Sequence, residues 1–458
     1  MDELPTQALL RLGGLLEKLD LNETSYMRRT KNSRAMFQRA KKVEPAGVSY
    51  RIRYFEPYPF FVKESEGTQL IDVDGNAYTD YWCTHLAMIL GHKHPIVLEA
   101  IKTQAENGWH HGVSHELEVA HAEAITKHVP SAEMVRYTSS GSEAMLFAAR
   151  LARTYTKRSK VAKFEGGWHG AYDPFHLALK PPFDRAASGG LTAGSQQDTV
   201  LLPYNDLPGF LERAKNEELA CVILEPVLAA GGMIPAEKSF LQGLRNFCDE
   251  TGTLLIFDEV VTGFRLGLSG AQGYFGVKPD LTVLGKIIGG GLPIGAICGK
   301  EGIMSHFDHT KYSGPDFAHH GGTFSGNALT LAAGLAAIGV LEHSPVYEHI
   351  DKLGDQTREL LNQTFERAKF PAQATGLCSL FGIHTTLKKP LKDVSGYSLC
   401  DHEQSKNLFA FLLDNGIFML TPEMLHGGIS YAHTDADIGR LVSSIERYVN
   451  TPPGELRV

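Results

Sequence analysis

Hydrophobic and polar positions change period along this chain. Leu9, Leu10, Leu12, Leu15, Leu16 and Leu19 recur near helical spacing in the segment before about Pro45, which predicts an amphipathic helix packed on a partner subunit. From about Phe60 to Trp82 the pattern becomes a strand pair, turning at Asp74-Gly75, a strong hairpin dipeptide. Between about Pro95 and Leu341, helical stretches alternate with short continuous apolar runs such as Cys221-Val-Ile-Leu and Leu254-Leu-Ile-Phe. Runs apolar on both faces read as strands of a mostly parallel sheet covered by helices on both sides. Pro345 and the charged helix from Tyr347 to Lys369 lead into a C-terminal α+β region ending near Val449. The expected division is an N-terminal helix and strand segment over 1–85, a large α/β domain over 86–345 and a smaller α+β domain over 346–458, the first segment joining the small domain and the subunit contact.

Composition narrows the class. The formal net charge of −8, without a long basic run, disfavours nucleic acid or an anionic membrane as the main partner. The acidic start Met1-Asp-Glu and the lack of a long apolar stretch predict neither a secretory signal nor a membrane span, so a cytoplasmic protein is expected. Six dispersed cysteines, at 83, 221, 248, 298, 378 and 400, form no CxxC pair and read as reduced thiols rather than disulfides or a zinc site. The twenty histidines show no HExxH spacing, so no metal is expected.

Three segments carry chemistry. In Asp280-Leu-Thr-Val-Leu-Gly-Lys286-Ile-Ile-Gly-Gly-Gly, a lysine ends an apolar strand and faces glycines that let backbone approach a flat cofactor. In Thr253-Leu-Leu-Ile-Phe-Asp258, a carboxylate sits at the carboxyl end of a buried strand, where open α/β sheets bind ligands and where the ring nitrogen of pyridoxal phosphate would supply a cation. In Val135-Arg-Tyr-Thr-Ser139-Ser140-Gly141-Ser142-Glu143, a strand turns into a helix whose free amides suit a phosphate. Taken singly, a solvated lysine and a structural ion pair or helix N-cap are the better readings of the first two, and a plain helix cap accounts for the third equally well. Their joint presence points to pyridoxal phosphate. A dinucleotide-binding reading of the Gly289–Gly295 run fails, because Pro293 interrupts it and the Gly-x-Gly-x-x-Gly spacing is absent.

The chain resembles the fold-type I, class III pyridoxal-phosphate aminotransferases, and within them the glutamate-1-semialdehyde aminomutase subgroup. The resemblance rests on DVDGNAYTDYW, LGHKHP, VRYTSSGSEAM, KFEGGWHGAYD, VILEPV, LLIFDEVVTGFR, FGVKPDLTVLGKIIGGGLPIGA, GGTFSGNALTLAAG and YAHTDADI, in order from the middle forties to the C-terminus. It implies a large domain with a mostly parallel seven-stranded sheet between helices, and a smaller α+β domain. It implies that Lys286 carries the cofactor as a Schiff base, that Asp258 holds the ring nitrogen, and that Val260 and Trp168 flank the ring, Trp168 standing where the family has Tyr or Phe. His169 would lie beside the ring and Glu225 near its hydroxyl. Ser140, Gly141 and Ser142 would bind the phosphate, joined by Thr323 from the neighbouring subunit of a homodimer.

Substrate recognition centres on Ala46-Gly-Val-Ser-Tyr-Arg51-Ile-Arg53-Tyr-Phe55, where Arg51 and Arg53 share a face if the segment is extended. Arg53 aligns with the carboxylate-gripping arginine of the aminomutases and Arg51 with that of the β-amino-acid transaminases. Other positions depart from the aminomutase pattern: Ala230 replaces an Asn, His85 replaces an aromatic beside the substrate, and Leu425 stands where an acidic residue is expected. The Lys180-Pro-Pro-Phe-Asp-Arg-Ala-Ala-Ser-Gly-Gly stretch also differs from the gating loop that retains the aminomutase intermediate. The expected activity is amino-group transfer between a carboxylate-bearing amine (an α-, β- or ω-amino acid) and a keto acid. Glutamate-1-semialdehyde aminomutase, or an amino-acid racemase or epimerase on the same scaffold, is the alternative.

Overall fold

The computed structural model describes residues 24–452 except 185, 187 and 387–389. The leucine-rich helix predicted between Leu9 and Leu19 lies outside the described residues, which open with two short helices, Ser25–Arg29 and Lys31–Ala40. The hairpin forms where Asp74-Gly75 predicts it, between β2 (Gln69–Asp72) and β3 (Ala77–Asp80), with β1 (Val62–Glu66) completing a meander. Asp72 fixes the turn by accepting the amides of Asp74 and Asn76.

The central sheet contains β4 (Met134–Thr138), β5 (Lys160–Phe164), β6 (Thr199–Leu202), β7 (Leu219–Leu224), β10 (Leu254–Asp258), β11 (Leu281–Gly285) and β12 (Gly295–Gly299), with a small separate hairpin of β8 (Val227–Leu228) and β9 (Ile234–Pro235). Its order is β4-β12-β11-β10-β7-β5-β6. The β7-to-β10 and β10-to-β11 pairings are parallel, and only β12 runs against its neighbours. Every residue of β7, β10 and β11 is buried, which is the physical meaning of their unbroken apolar runs. Their carboxyl ends therefore open at one edge of the sheet and deliver Glu225, Asp258 and Lys286 side by side.

The C-terminal region has β13 (Gln373–Thr375), β14 (Leu380–His384) and β16 (Leu425–Gly428) in one sheet, while β15 (Ile417–Phe418) pairs in parallel with β3. N- and C-terminal segments thus share a sheet. Arg265, fully buried, ties the large domain to this region by donating to Leu86 O, Ser379 Oγ and Ile429 O. Among the described residues, no single helix is long and apolar enough to cross a membrane.

Candidate active site

A cavity of about 1060 Å³ lies over the carboxyl edge of the sheet and is lined by Lys286, Asp258, Glu225, Val260, Trp168, His169, Ser140, Gly141 and Ser142. Lys286 follows β11 with a left-handed φ of +50°, a conformation that non-glycine residues adopt only when their surroundings enforce it. Enclosure by protein lowers its pKa, opposed by the carboxylates of Asp258 and Glu225. The consequence is an amine more readily available as a nucleophile at neutral pH than a solvated lysine.

Asp258, at the end of β10, is held on both oxygens. Oδ1 accepts the amide of Val260 at 3.2 Å and Oδ2 accepts Nδ1–H of His169 at 2.8 Å. His169 is buried, its pKa is lowered chiefly by desolvation, and Nε2 has no hydrogen-bond partner among the described residues. The imidazole thereby fixes the orientation of the Asp258 carboxylate. Glu225 Oε1 accepts the amide of Trp168 at 2.9 Å and Oε2 that of Ala229 at 3.2 Å. Its pKa is raised by burial and then by the neighbouring Asp258.

A cradle of backbone amides suited to an anion arises from local sequence. Ser140 is the N-cap of the helix Gly141–Thr156, its hydroxyl accepting the amide of Glu143, which leaves the amides of Gly141 and Ser142 without an intrahelical acceptor. Gly141 is required for close approach, because a Cβ there would sit 2.9 Å from Val260 Cγ2. Gly170 (φ +83°) is likewise required: a Cβ would meet Ser142 Cα at 2.6 Å, so glycine lets the Trp168–His169 loop close on the cradle. Trp168 keeps 38 % of its surface exposed, with its ring edge-on to His176. The lining has the chemistry a planar phosphorylated cofactor needs: the apolar surfaces of Val260 and Trp168, a buried carboxylate, an amine and helix amides without intrahelical acceptors.

The cavity is also lined by Tyr50, Arg51, Tyr54, Trp82, His85, Met233, Met424 and His426. Residues 51–53 form a 3-10 turn rather than an extended strand, so the two arginines do not share a face. Arg51 lines the cavity, whereas Arg53 lies outside its lining and donates to Ser49 Oγ at 2.9 Å. His85 belongs to a turn in which four consecutive non-glycine residues, Cys83 to Leu86, have positive φ. Such a turn costs about 1–2 kcal/mol per residue and persists only when over-determined. Asp80 Oδ1 accepts the amides of Trp82 and Cys83, while Arg265 holds Leu86 O. The result packs the His85 ring 4.0 Å from Trp82 and lowers its pKa to about 2, first by burial and then by the Lys286 charge. His85 is therefore a neutral wall of the cavity.

Leu425 is buried in β16, but Glu423 lines the cavity two residues earlier, an acidic group that position-by-position reading missed. Ala229 and Ala230 line the cavity where the aminomutase pattern has an amide, and Lys180, Pro181, Pro182, Ala186 and Ser188 form part of its wall. Thr323 is exposed and lines no part of its own chain's cavity. Sequence reasoning also missed Lys163, fully buried beneath the Trp168 loop.

The family model for class-III aminotransferases matches residues 52–449. Among curated relatives, a glutamate-1-semialdehyde 2,1-aminomutase from Methanothrix thermoacetophila is 38% identical over 91% of this chain and 96% of its own. Among solved structures, an omega-transaminase from Sphaerobacter thermophilus superimposes with a TM-score of 0.85 at 36% identity, covering 91% of this chain and 97% of the other. A transaminase with PLP bound gives a TM-score of 0.84 at 34% identity over 93% and 98%.

Proposed function

Starting from the fact that the chain belongs to the class-III aminotransferases and uses pyridoxal 5'-phosphate, we propose that it transfers an amino group from a carboxylate-bearing amine to a keto acid. The observation that carries this reading is the convergence of Lys286, the Asp258–His169 pair and the Gly141–Ser142 amides on one cavity, with Arg51 on its substrate side. Pyridoxal phosphate, when bound, supplies an aldehyde for the amines and an electron sink for the carbon that loses its proton.

The chain's own residues do the rest. Lys286 Nζ would hold the cofactor and, as a free amine, would accept the proton from the substrate carbon bearing the amine. Asp258 presents a fixed carboxylate to the ring nitrogen, with His169 Nδ1–H keeping its orientation. The amides of Gly141 and Ser142, with the helix dipole behind them, hold the phosphate. Val260 and Trp168 confine the ring between them. Arg51 offers a planar fork to the substrate carboxylate. The homodimer belongs to the same proposal, since Thr323 has no role within its own chain's cavity, and both its neighbour Phe324 and Trp109 are strongly exposed apolar groups.

Intramolecular transfer, as in glutamate-1-semialdehyde aminomutase, is the second reading, and the curated relatives favour it. Against it stand Ala230, His85 and the proline-containing wall of Lys180, Pro181, Pro182, Ala186 and Ser188, which depart from the residues that would retain a diamine between half-reactions. Incubating holoenzyme with glutamate semialdehyde alone, and separately with paired amino donors and keto acids, tests the choice. Turnover only with the pairs supports transamination; aminolevulinate formation without a second substrate supports the mutase.

A further inference from the structure

Lys163 has no part in the chemistry described, yet it is one of the largest fully buried side chains in the molecule. Its ammonium group donates to Gly167 O at 2.9 Å, Phe175 O at 3.0 Å and Leu177 O at 2.6 Å. No carboxylate forms a direct ion pair with it among the described residues, although Glu225 is near enough to favour its charge while burial pulls its pKa down to about 7. A charge placed so deeply is costly, and a methionine would fill the same space without that cost.

The geometry explains the cost. Gly167 O and the amide of Trp168 belong to one peptide group. Lys163 on β5 holds the oxygen end of that peptide at 2.9 Å, and Glu225, following the adjacent strand β7, holds the N–H end at 2.9 Å. A donor at one end and an acceptor at the other thus fix the plane of the peptide from which the Trp168 ring projects. The remaining Lys163 bonds reach Phe175 O and Leu177 O on the return limb, beside His176, whose ring lies 5.5 Å from Trp168. One ammonium group therefore joins both limbs of the loop to the sheet.

We infer that Lys163 is a positioning residue which, with Glu225, clamps the Gly167–Trp168 peptide and sets the Trp168 ring against the face of the bound cofactor. This rests on the assignment of Trp168 to the cofactor ring. Replacing Lys163 with Met leaves buried carbonyl oxygens unpaired and releases the loop without touching the cavity lining.

The test is a double-mutant cycle on the affinity of the full-length protein for pyridoxal phosphate, using wild type, K163M, W168A and the double variant, with the thermal midpoint of each apoprotein as a folding control. K163M weakens binding about 10- to 100-fold in the wild-type background. On W168A the same substitution costs at least about fivefold less, because the ring it positions is gone. A purely structural lysine gives losses that multiply, so multiplication within about twofold, or wild-type affinity in K163M, overturns the inference. Unchanged affinity in W168A alone instead overturns the ring assignment, a separate failure. If K163M does not accumulate as folded protein, the cycle is run with Lys163→Gln, whose amide keeps two N–H donors, and the same outcomes apply.

Discussion

Replacing Asp258 with Asn removes a charge while keeping the shape of the side chain, and the hydrogen bonds at its two oxygens determine the consequences. Oδ1 continues to accept the amide of Val260, so β10 and its register remain. Oδ2 is the harder end. It accepts Nδ1–H of His169 at 2.8 Å, and an amide NH₂ there would face another N–H unless the histidine moved its proton to Nε2. Nε2 is buried without a partner, so that tautomer costs about 1–3 kcal/mol for an unsatisfied donor. The larger loss is electrostatic: a ring nitrogen held cationic in a buried site loses its carboxylate, for which about 3–5 kcal/mol is typical. At about 1.4 kcal/mol per tenfold, the rate of the amino-transfer half-reaction falls roughly 10²- to 10⁴-fold. The assay is single-turnover conversion of the bound cofactor to its amine form, with borohydride trapping to show that attachment to Lys286 survives. A D258N rate within fivefold of wild type, with cofactor bound, would refute the role given to the Asp258–His169 pair.

Other expectations come from the same geometry. Lys286→Ala abolishes turnover and leaves no cofactor that borohydride can trap; full activity in that variant contradicts the assignment. Arg51→Met raises KM for carboxylated donors about 10- to 100-fold through loss of charge-assisted hydrogen bonds, whereas Arg53→Met changes it less than about threefold, and steady-state kinetics that reverse this order would move recognition to Arg53. Buried His121, His384, His426 and His433 each have pKa values lowered to about 4, chiefly by desolvation. Between about pH 6.5 and 4 the unfolded chain binds protons that the folded chain refuses, so stability is lost as pH falls, by about 1.4 kcal/mol per pH unit for each histidine. Urea denaturation at pH 6.5, 5.5 and 4.5 reads this slope, which His433→Asn reduces by about one proton; a flat profile contradicts the buried neutral state.

Much of this was legible because the main sheet writes its burial into sequence. Continuous apolar runs at β7, β10 and β11 identify strands covered on both faces, and the polar residue ending each run marks the ligand-binding edge. Asp258 and Lys286 are read in that way, whereas Glu225 enters through the family resemblance. Lys163 escaped because a lysine in a short strand looks solvated, and its partners are backbone carbonyls that no side-chain pattern encodes. The left-handed turn at Cys83–Leu86 contains no glycine to announce it; its cause lies in Asp80 and in Arg265, far along the chain. Arg51 and Arg53 appeared equivalent under an extended period of two, and a single 3-10 turn separates them. Glu423 was missed because alignment points to a single position, whereas the cavity is lined by a turn of several residues.

The central claim is that this cavity moves an amino group between two molecules. Mixing the holoenzyme with individual α-, β- and ω-amino acids in single turnover, while following the cofactor absorbance and identifying what is released, tests it most directly. The account predicts conversion of the cofactor to its amine form with release of a keto acid or aldehyde from at least one carboxylate-bearing donor, reversed by adding a keto acid. No conversion with any donor, together with isomerisation of glutamate semialdehyde to aminolevulinate, would contradict it.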